Sequence, residues 1–217
     1  MSLPENLMKI AAVIFDAFGT LARITRPIHP YGQLLREGKR QGRKFRPDDL
    51  QTLMTHRLCI SEAAARFGIK LSPDRLGFLE QALKAELASI EPFPDALEAI
   101  AMLRAAGMRT AICSNLAMPY GPAIQQIFPN LDGYGFSYEM GAMKPSPIIY
   151  RHTCDLMGVR PGDDFGSHGR VVMIGDSVRC DRDGPRRCGI SGFLLRRQRA
   201  ERFSSLTDFA QVVLAYA

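Results

Sequence analysis

The sequence predicts an α/β protein built on a doubly wound parallel sheet, with an all-helical segment inserted after the first strand. Apolar runs typical of buried strands alternate with amphipathic stretches typical of helices, which is the pattern of a parallel sheet covered on both faces. The most apolar of these runs end abruptly in polar residues. From about residue 31 to residue 90, helical periodicity alone interrupts the alternation.

The composition is ordinary for a soluble globular protein. The 217 residues are 46% hydrophobic and 23% charged, which suits one medium domain or a core domain with a smaller insert. No apolar run approaches the ~20 residues that a membrane span needs. The first nine residues contain no apolar stretch suited to a signal peptide. We therefore expect a cytoplasmic protein with no membrane association, and the sequence gives no indication of oligomeric state.

Cysteine spacing and charge further limit the classes of function. The five cysteines include no Cys-x-x-Cys pair and no zinc-knuckle spacing, so we expect reduced thiols and no zinc site. Much of the formal net charge of +6 lies in residues 36–46 and in a second group, Arg196, Arg197, Arg199 and Arg202. No recognised nucleic-acid-binding motif accompanies these residues, so we expect a solvated helix face and no nucleic-acid partner. Attraction of a small anionic substrate is the alternative.

The first strand is the starting point of the functional prediction. Residues 13–15 form an apolar run typical of a strand buried on both faces, and Asp16 follows it directly. Gly19 and Thr20 then allow the backbone to turn. Open α/β sheets place their ligands at the carboxyl ends of strands. Asp16 there can act as a nucleophile, a metal ligand or both, and the alternative is that it only caps a turn.

The next segment is predicted to be a loop followed by helices. Residues 22–31 are expected to be loop-like because they contain Pro27 and Pro30. One helix is expected to begin at residues 47–49 and to carry on one face Leu50, Leu53, Met54 and Leu58. A second is expected to begin at residues 72–74, with apolar residues at helical spacing: Leu76, Leu79, Leu83, Leu87 and Ile90. We expect residues 22–91 to form an inserted helical domain, and residues 1–21 and 92–217 to form the core domain.

The alternation of strands and helices resumes after residues 92–94. Asp95 is expected to cap a helix that Gly107 ends. The remaining predicted elements are a strand at 110–113, a helix near 122–128, a short strand near 134–138, a loop at 141–145, a helix through 157, a polar loop at 161–169, a strand at 171–174, a helix, a strand at 192–195 and a final amphipathic helix.

Polar groups follow the predicted strands or stand in a nearby loop. They are Asp16, Ser114, Asn115, Lys144, Asp176 and Asp181. Because the carboxyl ends of strands in a doubly wound sheet share one edge, we expect these groups to converge. Carboxylates beside an ammonium group, a hydroxyl and an amide suit an anion together with a hard cation such as Mg²⁺. Phosphoryl transfer uses such a set, with a positioned nucleophile and positive charge opposite the transferring group.

Four motifs stand in a fixed order along the chain. They are Phe-Asp-x-x-Gly-Thr-Leu at residues 15–21, a strand ending in Ser-Asn at 114–115, Lys-Pro-x-Pro at 144–147 and Gly-Asp-Ser-x-x-x-Asp at 175–181. In this order they resemble the motifs of the haloacid dehalogenase superfamily, and the resemblance covers the whole chain. It implies a Rossmann-like core, with a helical cap placed after the first strand.

The resemblance also implies a role for each residue. Asp16 would be the nucleophile that forms an aspartyl intermediate. Ser114 would bind the transferring group, with Asn115 as a further substrate-binding residue. Lys144 would neutralise both Asp16 and the phosphate.

A magnesium site is implied by the same resemblance. Asp176 would hold Mg²⁺ together with Asp16 and the backbone carbonyl of Phe18. Asp181 would lie nearby and order either the metal-bound waters or Lys144. The cofactor expected from the sequence is therefore Mg²⁺.

One position departs from the pattern of the family's phosphatases. They carry a second Asp two residues after the nucleophile as general acid and base, and this chain has Phe18 there. Such catalysis contributes typically ~10² to 10⁴ in rate. The superfamily's dehalogenases carry an aromatic residue at this position, but they need no metal and their last motif resembles Ser-Asn-x-x-Asp.

Three functions therefore remain open. The first is Mg²⁺-dependent, phosphatase-type hydrolysis of a small phosphorylated metabolite, favouring leaving groups that need no proton. The second is 2-haloacid dehalogenation, with cleavage of a phosphonate through Lys39 or Lys44 as a remote variant. The third is a catalytically weak, ligand-binding member of the family. The four histidines show no ligand pairing, and substrate choice is expected to lie in the helical segment.

Overall fold

The structure is a computed structural model that describes residues 9–160, 169–198 and 202–216. Its strands are β1 (Ile10–Phe15), β2 (Ala22–Ile24), β3 (Ile90–Pro92), β4 (Arg109–Ser114), β5 (Gly133–Phe136), β6 (Arg170–Gly175) and β7 (Ser191–Leu194). Its helices are α1 (Pro30–Arg40), α2 (Asp49–Thr55), α3 (Ile60–Arg66), α4 (Pro73–Leu87), α5 (Pro94–Ala105), α6 (Tyr120–Ile127), α7 (Ser137–Met140), α8 (Pro147–Leu156), α9 (Gly184–Arg186) and α10 (Leu206–Leu214).

Five parallel strands form the central sheet, in the order β5-β4-β1-β6-β7. The chain builds outwards from β1 to β4 and β5, then returns to the other side of β1 to add β6 and β7. The sequence-based prediction of a doubly wound α/β fold is therefore confirmed. The reversal of direction occurs at β1, which is where such sheets place their ligands.

Both faces of the sheet are buried, as the apolar runs predict. Val13 and Phe15 of β1 point into a cluster that includes Leu103 of α5 and Phe209 of α10. Ile14 points into the opposite cluster, which includes residues of α8. Because side chains alternate along a strand, a continuous apolar run is needed to fill both clusters. Each fully buried side chain of this size contributes roughly 1.5 to 3 kcal/mol.

A helical block, α1 to α4, lies between two short strands that pair with each other. β2 and β3 are antiparallel, with Ala22 opposite Pro92 and Ile24 opposite Ile90. The prediction that residues 22–31 are loop-like is therefore wrong at both ends, because β2 occupies the first residues and α1 begins at Pro30. Pairing with β3, which is distant in sequence, is what makes this short segment a strand. The division into a core and an inserted domain stays a prediction.

Several predicted boundaries differ from the observed ones. α2 ends at Thr55, so Leu58 lies beyond it, and Tyr138 lies in α7 rather than in a strand. Residues 178–183 form a π-helical segment, Val178–Asp183, before the short α9. The polar loop predicted at 161–169 lies outside the described residues except for Gly169. No helix in the described ranges is long and apolar enough to cross a bilayer.

Two acidic side chains bond to arginines, and one of them, Asp95, does not cap the helix as the sequence predicts. The N-cap of α5 is Phe93, and the Asp95 carboxylate instead accepts hydrogen bonds from Arg197 and from the backbone N–H of Leu206. Asp49 accepts a bidentate pair of bonds from Arg43. The expectation that the basic clusters are solvated is therefore wrong for both arginines, whose side chains are 19% (Arg43) and 21% (Arg197) exposed.

The thiol prediction agrees with the structure. All five cysteines are free, and Cys113, Cys154 and Cys188 are buried. Cys113 lies in β4 and packs as a small apolar residue in the cluster beneath Ile14.

Candidate active site

Three of the polar groups singled out by the sequence lie at the ends of adjacent strands. Asp16 follows β1 directly, Ser114 is the last residue of β4, and Asp176 comes directly after β6. β4 and β6 flank β1 in parallel, with Phe15 opposite both Ile112 and Ile174. Their carboxyl ends therefore meet at one edge of the sheet, at the strand where the direction of sheet growth reverses.

Lys144 connects two of the carboxylates. Its Nζ donates to Oδ1 of Asp16 at 2.7 Å and to Oδ1 of Asp181 at 2.7 Å. The lysine side chain is 3% exposed, so it is almost completely removed from water. Burial by itself lowers the pKa of Lys144, but the two carboxylates outweigh burial and raise this pKa well above its usual value. Lys144 is therefore a fixed positive charge between two negative ones.

The two oxygens of Asp16 are in different environments. Oδ1 accepts hydrogen bonds from Lys144 Nζ and, at 3.1 Å, from Ser114 Oγ. Oδ2 has a contact with Thr20 Oγ1 at 3.4 Å, which is long for a hydrogen bond between oxygens. Oδ2 is therefore the oxygen with lone pairs available to a substrate atom or a cation.

Asp181 is held by backbone as well as by Lys144. Its Oδ2 accepts from the backbone N–H of Ser177 at 2.9 Å, and its own N–H donates to the Ser177 carbonyl at 2.8 Å. Burial raises the pKa of Asp181, with the Lys144 ammonium opposing this effect. The π-helical geometry of Val178–Asp183 places this carboxylate under the end of β6, and π-helical turns are frequent at functional sites.

Asp176 differs from the other two carboxylates because it is exposed to solvent. Partial desolvation and, after it, repulsion by Asp16 raise the pKa of Asp176. The loop after β1 comes very close to this side chain. A Cβ atom built on Gly19, whose φ is +84°, would lie 2.2 Å from Asp176 Oδ2. The absence of a side chain at residue 19 is what leaves room for this oxygen.

The three carboxylates form a group that could bind a metal ion. Asp16, Asp176 and Asp181 each offer an oxygen, and these oxygens lie within 4.8 Å of one another. An all-oxygen set of this kind suits hard cations and does not suit zinc, which prefers nitrogen and sulfur. The side-chain donors and the space at Gly19 therefore fit a hard divalent cation. The role of the Phe18 carbonyl as a further ligand stays a prediction.

Asn115 is placed differently from the other polar groups. Its Nδ2 donates to the Lys144 carbonyl at 3.0 Å, and its Oδ1 accepts from the Lys144 N–H at 2.7 Å. The side-chain amide thus fixes the backbone of the loop that carries Lys144. Its assignment to substrate binding stays a prediction, but the contacts in the structure are those of a residue that positions Lys144.

A cavity of about 450 Å³ lies between this edge of the sheet and the helical block. Phe18 forms part of its wall and packs edge-on against Tyr120, with ring centroids 5.9 Å apart. The Tyr120 hydroxyl donates to the Glu86 carboxylate, which lies in the last turn of α4. Residue 18 thus belongs to the cavity wall as well as to the first motif.

Glu86 and Tyr120 are residues that the sequence analysis missed. Glu86 is 2% exposed and also accepts hydrogen bonds from the backbone N–H groups of Ile28 and His29. A signal for it exists in the sequence, because Glu86 stands seven residues after Leu79 and therefore on the apolar stripe of α4. A carboxylate at such a position needs partners from another element.

Comparison with known proteins places the chain in a family. A family model described as haloacid dehalogenase-like hydrolase matches residues 10–189. The chain belongs to this family and is a hydrolase with a Rossmann-like core. The sequence-based resemblance to the superfamily is thereby confirmed.

The relatives include both a dehalogenase and phosphatases. The chain is 24% identical to (S)-2-haloacid dehalogenase 4A of Burkholderia cepacia, over 81% of this chain and 84% of that protein. A 47-residue stretch is 43% identical to N-acylneuraminate-9-phosphatase of Rattus norvegicus, but it spans 22% of this chain and 16% of that protein. A HAD phosphatase from Thermococcus onnurineus has a similar fold, with a TM-score of 0.63, 19% identity, and coverage of 94% of this chain and 97% of that one.

Proposed function

We propose that this protein is a Mg²⁺-dependent, phosphatase-type hydrolase that acts on a small phosphorylated metabolite through an aspartyl intermediate on Asp16. The observation that carries the proposal is a group of three carboxylates, Asp16, Asp176 and Asp181, whose oxygens lie within 4.8 Å of one another. The Lys144 ammonium is bonded to two of these carboxylates. A cation and a fixed ammonium beside one nucleophile are the parts that phosphoryl transfer requires.

In this proposal the chain's own residues divide the work of the reaction. An Asp16 oxygen attacks phosphorus, the bond to the leaving alcohol breaks, and water then cleaves the aspartyl phosphate to give inorganic phosphate and the free carboxylate. Lys144 and the Ser114 hydroxyl orient Asp16 and offset the charge that gathers on the transferring group. Asp181 holds Lys144 in place. Mg²⁺, held by Asp16, Asp176 and the Phe18 carbonyl, would supply further positive charge opposite the phosphoryl oxygens.

The leaving group must receive its proton from elsewhere than residue 18, since a phenyl ring cannot donate one. We expect water or the substrate itself to supply it. The reaction should therefore be faster with leaving groups that are stable as anions, such as phenolates, than with simple alkoxides.

The experiment is phosphate release from aryl phosphates and from a panel of phosphorylated metabolites, with Mg²⁺ and with a chelator. The control is Asp16→Asn, which keeps the shape of the side chain and removes its nucleophilic charge. We expect release that needs Mg²⁺ and is lost in Asp16→Asn. Phosphate release that is as fast with the chelator as with Mg²⁺, or that persists in Asp16→Asn, would refute the proposal.

Hydrolytic dehalogenation of a 2-haloacid is the second candidate. Two observations favour it: Phe18 is part of the cavity wall, and one relative, which matches 81% of the chain, is a haloacid dehalogenase. Halide needs no proton to leave, so residue 18 need not be an acid. Halide release from 2-haloalkanoates that persists in a chelator and disappears in Asp16→Asn would select this reaction. No halide above background would eliminate it.

The remaining expectations belong to the same proposal. Residues 22–91 would act as a cap domain that selects the substrate, while residues 1–21 and 92–217 carry the chemistry. A small anionic molecule would be the partner, rather than a nucleic acid or a membrane. The five free thiols support a reducing compartment such as the cytoplasm.

A further inference from the structure

We infer that the substrate of this enzyme carries an apolar aliphatic or aromatic body next to its anionic reacting group, and that it is not a polyol. The inference rests on the proposed function, because it takes the cavity whose wall includes Phe18 and Asn115, the near chain neighbours of Asp16 and Ser114, to be where the substrate binds. The cavity volume of about 450 Å³ is in the range of small-molecule sites.

The walls of the cavity are mainly apolar on both sides. The sheet edge and the segment after β4 contribute Phe18, Leu116 and Ala117. The helical block contributes side chains from α2, which are Leu50, Leu53 and Met54. A ligand that fills this space exchanges water for contact with carbon on two opposite sides, which favours an apolar ligand body.

The polar side chains that line the cavity are, with two exceptions, already engaged. The Tyr31 hydroxyl donates to the Leu58 carbonyl at 2.7 Å. The Glu86 carboxylate accepts from the Tyr120 hydroxyl and from two backbone N–H groups. Both amide atoms of Asn115 are bonded to the backbone of Lys144. Sugar hydroxyls entering this space would lose water without gaining partners, which disfavours binding.

The two exceptions are both basic and both exposed. They are His29, at the start of α1, and Arg36, seven residues or about two helical turns further along. Basic groups at the rim favour a ligand that is anionic. Apolar walls with basic groups at the rim therefore describe an apolar anion.

The experiment is calorimetric titration, in the presence of Mg²⁺, of n-alkyl phosphonates from methyl to hexyl. These compounds resemble the substrate's anionic group but are not phosphate esters, so binding is read without turnover. Burial of each methylene should tighten binding about fourfold until the cavity is full. The heat capacity change should also become more negative with each methylene, as expected for apolar burial. A sugar phosphonate of the size of the hexyl compound should bind no tighter than methylphosphonate.

Variants of the cavity wall test whether the gain in affinity with chain length comes from the cavity. Leu50→Gln and Met54→Gln each place a polar group on the wall, and we expect them to flatten the dependence on chain length. Leu97→Gln is the control. Leu97 is 47% exposed, close to the 49% of Leu50, but it lies on α5 and does not line the cavity. The control should keep the wild-type dependence.

The outcomes separate this inference from the proposed function. A flat profile, no binding by any chain length, or tighter binding of the sugar phosphonate would overturn the inference even where Mg²⁺-dependent phosphate release is observed. The same titrations with n-alkanoates test the alternative substrate class, the 2-haloacids. A chain-length gain with alkanoates, in a protein that releases no phosphate, would support the apolar cavity and refute the phosphatase.

Discussion

At the scale of single residues, two glycines allow the carboxylates to lie against the backbone. A Cβ built on Gly19 would be 2.2 Å from Asp176 Oδ2, and one built on Gly175 would be 2.4 Å from Asp181 Oδ2. Both distances are far shorter than a van der Waals contact. Both glycines therefore leave room for the acidic group, and Gly19, with its positive φ, also forms part of the turn that follows β1.

Gly19→Ala tests this packing, and Gly42→Ala is its matched control. Gly19 has φ +84° and Gly42 has φ +83°, but a Cβ on Gly42 would meet nothing within 4 Å. The control should lose about 1 to 2 kcal/mol of unfolding free energy through backbone strain alone. Gly19→Ala should lose more, and its affinity for Mg²⁺ should fall by roughly tenfold or more because Asp176 is displaced. Urea unfolding and metal titration measure the two effects, and equal behaviour of the two variants would contradict the argument.

Phe18→Asp tests whether the missing acid limits the reaction. We expect hydrolysis of alkyl phosphates to rise by about 10² relative to Phe18→Asn, which has the same shape but no proton to donate. Aryl phosphates should gain much less, because phenolate leaves without a proton. Steady-state kinetics with both classes of substrate provide the measurement. Equal rates for the two variants on alkyl phosphates would show that protonation of the leaving group does not limit turnover.

At the scale of elements, the end of α4 joins the helical block to the wall of the site. The Glu86 carboxylate accepts from the N–H groups of Ile28 and His29, just before α1, and from Tyr120 at the start of α6. Burial, followed by the hydrogen bond to Glu86, raises the pKa of Tyr120, so the phenol stays protonated. His29 has a left-handed backbone, with φ 57°, and the bond from its N–H to Glu86 helps to hold this conformation.

Glu86→Gln should therefore disturb three elements together. We expect a loss of about 2 to 4 kcal/mol of unfolding free energy, because two N–H donors lose a charged acceptor in a buried place. Glu80→Gln, on the exposed face of the same helix, should stay within about 0.5 kcal/mol of wild type. Denaturant unfolding measures both. A Glu86→Gln variant as stable as Glu80→Gln would show that the carboxylate is not what holds these elements together.

At the scale of the whole molecule, buried or crowded carboxylates act on stability in two opposite directions. Hydrogen bonding from Arg43 lowers the pKa of Asp49, so its ionised form stabilises the fold. Desolvation and Asp16 raise the pKa of Asp176, so its ionised form opposes folding. Asp49 is the first residue of α2, whereas Asp176 belongs to the group of three carboxylates in the candidate site.

Asp49 should make the protein sensitive to acid. Because its pKa is lower in the folded than in the unfolded chain, its contribution is complete above about pH 4 and is lost as the pH falls through the folded-state pKa. Asp49→Asn should therefore cost about 3 kcal/mol at pH 7, through loss of a buried ion pair, and progressively less in acid. Asp48→Asn, at the exposed neighbouring position, serves as the control. Urea unfolding at a series of pH values gives the comparison, and a constant difference across that series would be the contrary result.

In a chelator at pH 7, Asp176→Asn should stabilise the protein, whereas Asp49→Asn destabilises it. Removing one charge from the acidic group should raise the unfolding free energy by roughly 0.5 to 1 kcal/mol, a small effect because the side chain is exposed. The gain should vanish in acid, where the wild-type carboxyl is protonated. Added Mg²⁺ should reverse the order, because only wild type binds the ion well and is stabilised by it. The control is Asp155→Asn, on the exposed side of α8. Its thermal unfolding should match that of wild type both in the chelator and with Mg²⁺. A less stable Asp176→Asn in the chelator would refute this account.

The sequence predicts the positions of the site residues better than it predicts the contacts that surround them. The positions of Asp16, Ser114 and Asp176 at one sheet edge follow from where three apolar runs end, since parallel strands share an edge. The bonds of Asp95 to α10 and of Asn115 to the Lys144 loop do not follow from sequence. Their partners are far along the chain, and local patterns favour helix capping for such residues. The π-helical geometry of Val178–Asp183 likewise does not follow from the local pattern, which predicts an ordinary helix.

The pairing of β2 with β3 has a consequence for how such a chain changes over evolutionary time. Because Ala22 lies opposite Pro92, the polypeptide enters and leaves the helical block at neighbouring positions. The excursion between them can lengthen, shorten or be exchanged while its two ends stay in place, and each doubling of its length adds only about 0.6 kcal/mol of closure entropy. Changes in the length or sequence of this contiguous block can therefore accumulate while Asp16, Asp176 and Asp181, which lie outside it, keep their positions at the sheet edge.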